Sequence, residues 1–381
     1  MWPWIKRWRD WAMTDLWPLN RLGPQPQALH HSYEKAGLIL NDQPIPWNAE
    51  AVLVEALLRL PASTGRRKAD FRLRLPGAEP YPAEHLRRQE ADDRYRVSFR
   101  LPAPTATATA ELLFRDHPLG QLTLPFLSRD EFLHGLRLEM PTLFVRVGSD
   151  SVACQTFVTS QCRGLLASAV LLSPTSLAPL LDMDLQVEFR CERGGSAYRV
   201  PALLCSSQLQ GRKALVTVAP RRYPRRMGTW TATWLLGDRP LAVQRVRGIS
   251  KRAFHRSLRI SDTRFVVRDG AGRVRLTRQV PPLDGGARVG PCFLVSSGEP
   301  GMAGLCRLRI AAQAPGAPPA PPLLEQEVLI SDGPTPVAPG TLDAADLGQV
   351  SGFELSVRCQ ALGVLSLCPA PTSAFTGEGS F

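Results

Sequence analysis

Histidine is the side chain best suited to acid–base work near neutral pH, and six occur here: His30, His31, His85, His117, His134 and His255. They stand singly or as one adjacent pair, and none falls in an H-E-x-x-H frame that would set two imidazoles on one helix face. His117 lies in the turn R-D-H-P, whose counterpart further along the chain is G-D-R-P with Arg239. A group replaced by arginine in a duplicate decorates a turn rather than moving a proton. No G-x-S-x-G elbow offers an activated serine, and no glycine-rich loop leads into Lys-Ser/Thr to cradle phosphates. The cysteines, at 154, 162, 191, 205, 292, 306, 359 and 368, form no C-x-x-C pair and have no histidine at ligand spacing, which argues against structural zinc. Their even number allows four disulfides, with Cys191 and Cys205 placed to bridge a hairpin, but buried free thiols are the expectation. Asp182 and Asp184 are two carboxylates on a strand-like run, too few for a calcium site. No catalytic residue, cofactor or metal is expected, and the chain reads as a non-enzyme.

Two clusters are candidates for interaction instead. Five of the eight tryptophans lie in the first 17 residues. On a helix Trp4, Ile5, Trp8, Trp11 and Ala12 share one face, with Lys6, Arg7, Asp10 and Thr14 opposite. Trp4, Trp8 and Trp11 are expected to pack on the rest of the chain or on a partner. The alternative is an anionic membrane surface, which suits an indole and cation mixture. The second cluster, Arg221, Arg222, Tyr223, Arg225 and Arg226, has the chemistry to clamp phosphates with Tyr223 free to stack, yet reads first as a solvated loop. The net charge of +12 favours polyanions on its face, but 41 of the 46 basic residues are arginine and only 5 lysine. That imbalance, with 35 prolines, is what a GC-rich genome produces, so a nucleic-acid partner is disfavoured and a protein partner preferred.

The elements that carry these groups are organised by an internal repeat. A shift of 122 residues aligns 107–172 with 229–294 without a gap, and 18 of the 66 positions are identical. Thr109/Thr231, Leu113/Leu235, Asp116/Asp238, Pro118/Pro240 and Leu119/Leu241 match first. Ser128/Ser250, Phe132/Phe254, Leu136/Leu258, Val145/Val267, Gly148/Gly270 and Val152/Val274 follow. A third, weaker copy of the closing strand is read at Pro322–Ser331. Within the units Phe71–Leu75 and Tyr95–Leu101 alternate apolar and polar with period two, as half-buried strands do. Asp269-Gly-Ala-Gly272 is a hairpin turn whose glycines supply positive φ. Helix is expected at the amino terminus, at Asn48–Arg59, where the run equally suits a strand, and at Leu342–Gly348 after Thr341. Arg72, Arg74, Arg96, Arg100, Arg273 and Arg275 alternate along strands, which makes them a polar outer face.

Val145-Arg-Val-Gly148-x-x-x-Val152 resembles the first hairpin of immunoglobulin-like domains, and Gly228-Thr-Trp230-Thr-Ala232 with its turn and final strand resembles their closing hairpin. Ala110 and Ala232 stand where an antibody-type domain has its second core cysteine, so the resemblance is to the bacterial type of sandwich. It implies an all-β chain of three tandem immunoglobulin-like β-sandwich units with a short N-terminal amphipathic helix: residues 1–24 as helix and linker, then units at 25–128, 129–250 and 251–381. A binding or structural scaffold is the expected role, with a membrane-associated protein anchored by the Trp-rich helix, or an enzyme with an inter-domain site, as alternatives. No apolar run of signal-peptide character opens the sequence. The expected location is therefore cytoplasmic or peripheral to a membrane, and extracytoplasmic if translation starts upstream.

Overall fold

The computed structural model describes residues 24–367 apart from 42, 61–66, 90–93, 195–196, 222–225, 281–285, 315–320, 344–346, 348–349 and 359. The first set of strands is β1 (Gln25–Lys35), β2 (Leu38–Asn41), β3 (Ile45–Pro46), β4 (Ala51–Arg59), β5 (Phe71–Arg74), β6 (Tyr81–Pro82), β7 (His85–Arg88), β8 (Arg94–Leu101), β9 (Ala108–Phe114), β10 (His117–Leu124) and β11 (Phe126–Leu127). They form one sheet in the order β2-β1-β4-β8-β7 and another in the order β10-β9-β5-β6. Alternation decides which side each residue takes: Tyr95, Val97, Phe99 and Leu101 are buried while Arg94, Arg96 and Arg100 are exposed. Val54, Phe71, Leu73, Val97, Phe99 and Leu112, drawn from both sheets, share one core and are fully buried.

The second set is β12 (Arg137–Val147), β13 (Asp150–Ala153), β14 (Thr156–Val158), β15 (Cys162–Leu172), β16 (Leu185–Cys191), β17 (Ala197–Pro201), β18 (Lys213–Val218), β19 (Gly228–Leu236) and β20 (Arg239–Ile249). The third is β21 (Leu258–Arg268), β22 (Val274–Thr277), β23 (Arg288–Ser297), β24 (Met302–Gln313), β25 (Pro322–Ile330), β26 (Thr335–Val337), β27 (Leu342–Asp343), β28 (Gly352–Val357) and β29 (Gln360–Ser366). Strand order recurs across the sets. The opening sheets run β1-β4-β8, β12-β15-β18 and β21-β23-β26, each flanked by a hairpin partner of the first strand, β2, β13 or β22. The opposing sheets run β6-β5-β9-β10, β17-β16-β19-β20 and β25-β24-β28-β29. This is the A-B-E and C-F-G division of an immunoglobulin-type sandwich, with an added strand beside C. The chain is all-β and immunoglobulin-like.

The duplication is visible at single residues. In the closing hairpins Phe114 pairs His117, Leu236 pairs Arg239 and Val357 pairs Gln360, so each loop has two residues. The ladder then skips one position in each, at Leu119, Leu241 and Leu362. In the first two the bulge directly follows Pro118 and Pro240, which have no N–H to give the ladder. Asp116 and Asp238 hold the same place in their turns.

By contact density the chain falls into two compact units. One holds the described residues up to Met140 with Ala169–Leu185 and Ala202–Val216; the other holds Pro141–Ser168, Gln186–Pro201 and those from Thr217 onward. In the first, the Tyr33 hydroxyl and Ser176 Oγ lie 2.6 Å apart and Ser176 N donates to Gln43 Oε1 at 2.8 Å. Lys35, only 5% exposed, donates to the Asn48 carbonyl at 2.9 Å and pairs with Asp182. In the second unit β14 pairs in parallel with both β20 and β24, so the closing sheets of the second and third sets form one nine-stranded sheet. The Gln161 amide sits on the β24 backbone, accepting from Leu305 N at 2.8 Å and donating to its carbonyl at 2.5 Å. Phe254, Phe265, Val289, Phe293, Leu308 and Phe353 centre the core of the third sandwich and are buried.

Several expectations are corrected. Of the two readings of Asn48–Arg59 the strand holds, at Ala51–Arg59: Val52, Val54, Ala56 and Leu58 are buried at every second position, and β1 and β8 pair on its two sides. A short apolar run of this kind does not declare its period, and the two partners decide it. Leu342–Asp343 is also strand, because Leu342 pairs with Val289 of β23. The run from Pro322 is not a third closing strand. It is β25, beside β24, while the third closing hairpin is β28–β29. In the β21–β22 turn positive φ falls on Gly272 at 79° rather than on Gly270, whereas Gly148 has φ 64°. The loop after Arg268 is longer than the loop after Val147, so the two glycine turns do not overlay. The N-terminal helix, with Trp4, Trp8 and Trp11, lies outside the described residues.

Candidate functional site

Where β14, β19 and β20 converge, a cleft of about 490 Å³ is lined by Thr159, Ser160, Arg193, Arg226, Ser250 and Lys251, with Met227 as its apolar wall. Each lining group is placed by a local feature. Thr159 follows β14, buried, and its hydroxyl donates to the Ile249 carbonyl at 3.1 Å. Ser250 caps the helix Lys251–Ser257, its Oγ accepting from Ala253 N at 3.1 Å and keeping its own proton to donate. Arg226 is anchored by its carbonyl, which accepts from Trp230 Nε1 at 3.2 Å.

Glycines let these groups approach. A Cβ on Gly194 would stand 3.0 Å from Arg226 Nη1, and one on Gly228 would stand 3.1 Å from Arg193 Cγ. Gly228 also has φ 126°, a conformation that side chains rarely adopt. The guanidinium of Arg226 therefore lies over Gly194, next to Arg193, and the stem of Arg193 over Gly228, two residues after Arg226. At Gly248 a Cβ would meet Thr159 Cγ2 at 2.5 Å, so only glycine fits between β14 and β19.

Several of the outer-face arginines named from the sequence are paired: Arg72 with Asp116 at 3.4 Å, Arg96 with Glu55 at 3.6 Å, Arg100 with Glu34 at 2.7 Å, and Arg74 with Glu111. Arg273 and Arg275 share Asp269 at 2.9 and 3.7 Å. A second basic hollow, about 340 Å³ beside His85, Arg87 and Arg96, has Glu55 in its wall. Among the described residues no carboxylate pairs with Arg193, Arg226 or Lys251. In sequence, no acid lies between Arg193 and Arg199 or between Arg221 and Lys251 other than Asp238. One turn beyond Lys251, His255 is 7% exposed and its Nε2 has no partner. Burial, then the charges of Arg358 and Lys251, hold its pKa below the ordinary value, so it stays neutral near pH 7.

Of the basic loop read from sequence, the structure places Arg226 in the cleft and Arg221 exposed nearby in sequence. Arg222, Tyr223 and Arg225 lie outside the described residues. Sequence reading missed Arg193, Lys251, Ser160 and Ser250 as site residues. The signal was present: Arg193 precedes two glycines, and Ser250 is matched by Ser128 in the repeat. Asp182 is engaged by Lys35 and Asn48 rather than aimed at a cation. Among the described residues no group of three or more His, Cys, Asp or Glu could hold a metal ion, and no helix is long and apolar enough to cross a membrane. The described cysteines are free thiols, Cys191 and Cys205 included. Burial pushes the thiols of Cys154 and Cys306 up to about 12.

No family model matches the chain, and no curated protein matches it. Among solved structures it is similar to InvD of Yersinia pseudotuberculosis at 10% identity, with 86% of this chain and 97% of that chain covered and a TM-score of 0.23. It is similar to invasin, a bacterial integrin-binding protein, at 10% identity over 91% of this chain and 61% of that one, with a TM-score of 0.25. The Escherichia coli adhesin FdeC matches at 10% identity over 91% and 96%, with a TM-score of 0.23. At these values the fold assignment rests on the strand order itself.

Proposed function

We propose that the protein is a non-enzymatic binding scaffold of three tandem sandwich modules, 25–128, 129–250 and 251–381, that presents its loops and faces to a protein partner. One observation carries this reading: the strand order recurs three times, and β14 ties two of the closing sheets into one continuous sheet, which suits a stiff support for surface contacts. Exposed apolar side chains supply contact points, among them Leu203 at 84%, Leu276 at 56% and Val274 at 54% exposure. Photo-crosslinking amino acids placed at Leu203 and Leu276 of the full chain test it in extract of the source cells. Discrete crosslinked species that vanish when purified chain competes are expected. Absence of any such species from both positions overturns the scaffold reading.

A further inference from the structure

We infer that the cleft between Arg193, Arg226 and Lys251 is a binding site for the phosphoryl group of a soluble organic phosphate. Three cations lie around one cleft with no paired carboxylate among the described residues, whereas the other basic hollow has Glu55 in its wall, paired with Arg96. Holding like charges together is unfavourable unless an anion joins them. The two guanidinium forks suit tetrahedral oxyanions, which accept bidentate hydrogen bonds. Lys251 adds a point charge, and Ser160 and Ser250 add hydroxyl donors. Met227, 47% exposed, offers apolar contact to the organic body of such a ligand.

The repeat supplies an internal control. Ser128 is the equivalent of Ser250, and there the chain provides its own anion: the Glu131 carboxylate accepts from Ser128 N at 2.8 Å and from its hydroxyl at 2.7 Å. The residue equivalent to Glu131 is Ala253, and that equivalent to Asp130 is Arg252. The second copy thus lacks both acids of the first turn, leaving the Ser250 hydroxyl proton without a carboxylate from its own helix.

The inference rests on reading the protein as a binder, and bare phosphate probes test it without any partner. Isothermal titration of the full chain with inorganic phosphate and with pyrophosphate should show saturable binding, tighter for pyrophosphate. A253E restores the capping carboxylate, so it should keep or raise the melting temperature while weakening pyrophosphate by about tenfold or more. R193Q/R226Q should weaken it at least as much. Vesicles carrying phosphatidylinositol phosphates should bind no better than vesicles of equal charge in phosphatidylserine. Undetectable binding of both probes overturns the inference, as does unchanged affinity in A253E and R193Q/R226Q, or preference for the phosphoinositide vesicles. Failure of the crosslinking experiment with successful titration would remove the protein partner and leave the site. The reverse result would remove the site and leave the scaffold.

Discussion

The helices Arg129–Gly135 and Lys251–Ser257 occupy equivalent positions in two copies of one module, and they solve the same local problem differently. Both start at a serine whose Oγ accepts from the third backbone N–H, and both bury a phenylalanine completely, Phe132 and Phe254. The first completes a capping box with Glu131 and carries Asp130 and Glu131 in its opening turn. The second has no acid there and begins Lys251-Arg252. The two copies share the packing residue and the cap, while Asp130 and Glu131 are matched by Arg252 and Ala253. A buried side chain is held by its neighbours, whereas exposed charge is free to diverge and take a new ligand.

The largest effects should come from the shared phenylalanines. Phe254 belongs to the continuous core of the third sandwich, whereas Phe132 tilts against Trp47 with ring centroids 5.7 Å apart. F254A should therefore cost toward the upper end, and F132A toward the lower end, of the roughly 3–5 kcal/mol typical for emptying such a site. Urea unfolding measures both, and equal costs would show that the two helices are held alike. Next comes Gly304, where a Cβ would lie 2.7 Å from Val158 Cγ2 and 2.9 Å from Phe254 Cε1. G304A should lose about 1–3 kcal/mol by overpacking. F254L/G304A should cost less than the sum of the two single changes, and strict additivity would mean that the ring is not what the methyl strikes.

The serine caps should be smaller. S128A and S250A should each cost on the order of 1 kcal/mol, with S128A the more costly because it also removes the hydroxyl that Glu131 accepts from. Melting temperatures rank them, and the reverse order would break the contrast between the caps. These helices were also the least legible part of the fold. Alternating runs such as Tyr95–Leu101 declare themselves as strands because one face must be buried and the other wet. The 122-residue repeat fixes equivalent positions down to the Leu119 and Leu241 bulges. A seven-residue helix has too few turns to establish a period, and only the S-x-x-E pattern at Ser128–Glu131 marks it. The copy at Ser250 lacks even that. The cleft was legible only at Arg226, because Arg193, Ser160 and Lys251 are far apart in the chain and are gathered by the parallel pairing of β14, which no local pattern announces.

The smallest effects are in the response to acid, and they separate the two helices most cleanly. Hydrogen bonds from the Ser128 hydroxyl and N–H hold the Glu131 carboxyl below its ordinary range. A depressed carboxyl stabilises the fold above its unfolded value, and that stability is lost as pH falls through the folded value. The first cap should therefore loosen only in strong acid, below about pH 4.5, and E131Q should abolish that component. His255 has the same sign of linkage at a higher pH: burial and the nearby cations depress its pKa, so on acidification the unfolded chain again takes up the proton first. Stability is undiminished above the unfolded value of about 6.5 and declines as pH falls below it. The wild-type melting temperature should thus begin to drop below about pH 6.5 relative to H255Q, and only below about pH 4.5 relative to E131Q. Parallel curves for wild type and H255Q would mean that His255 takes up its proton equally well in the fold, and that the Lys251 helix is no more sensitive to mild acid than its acidic counterpart.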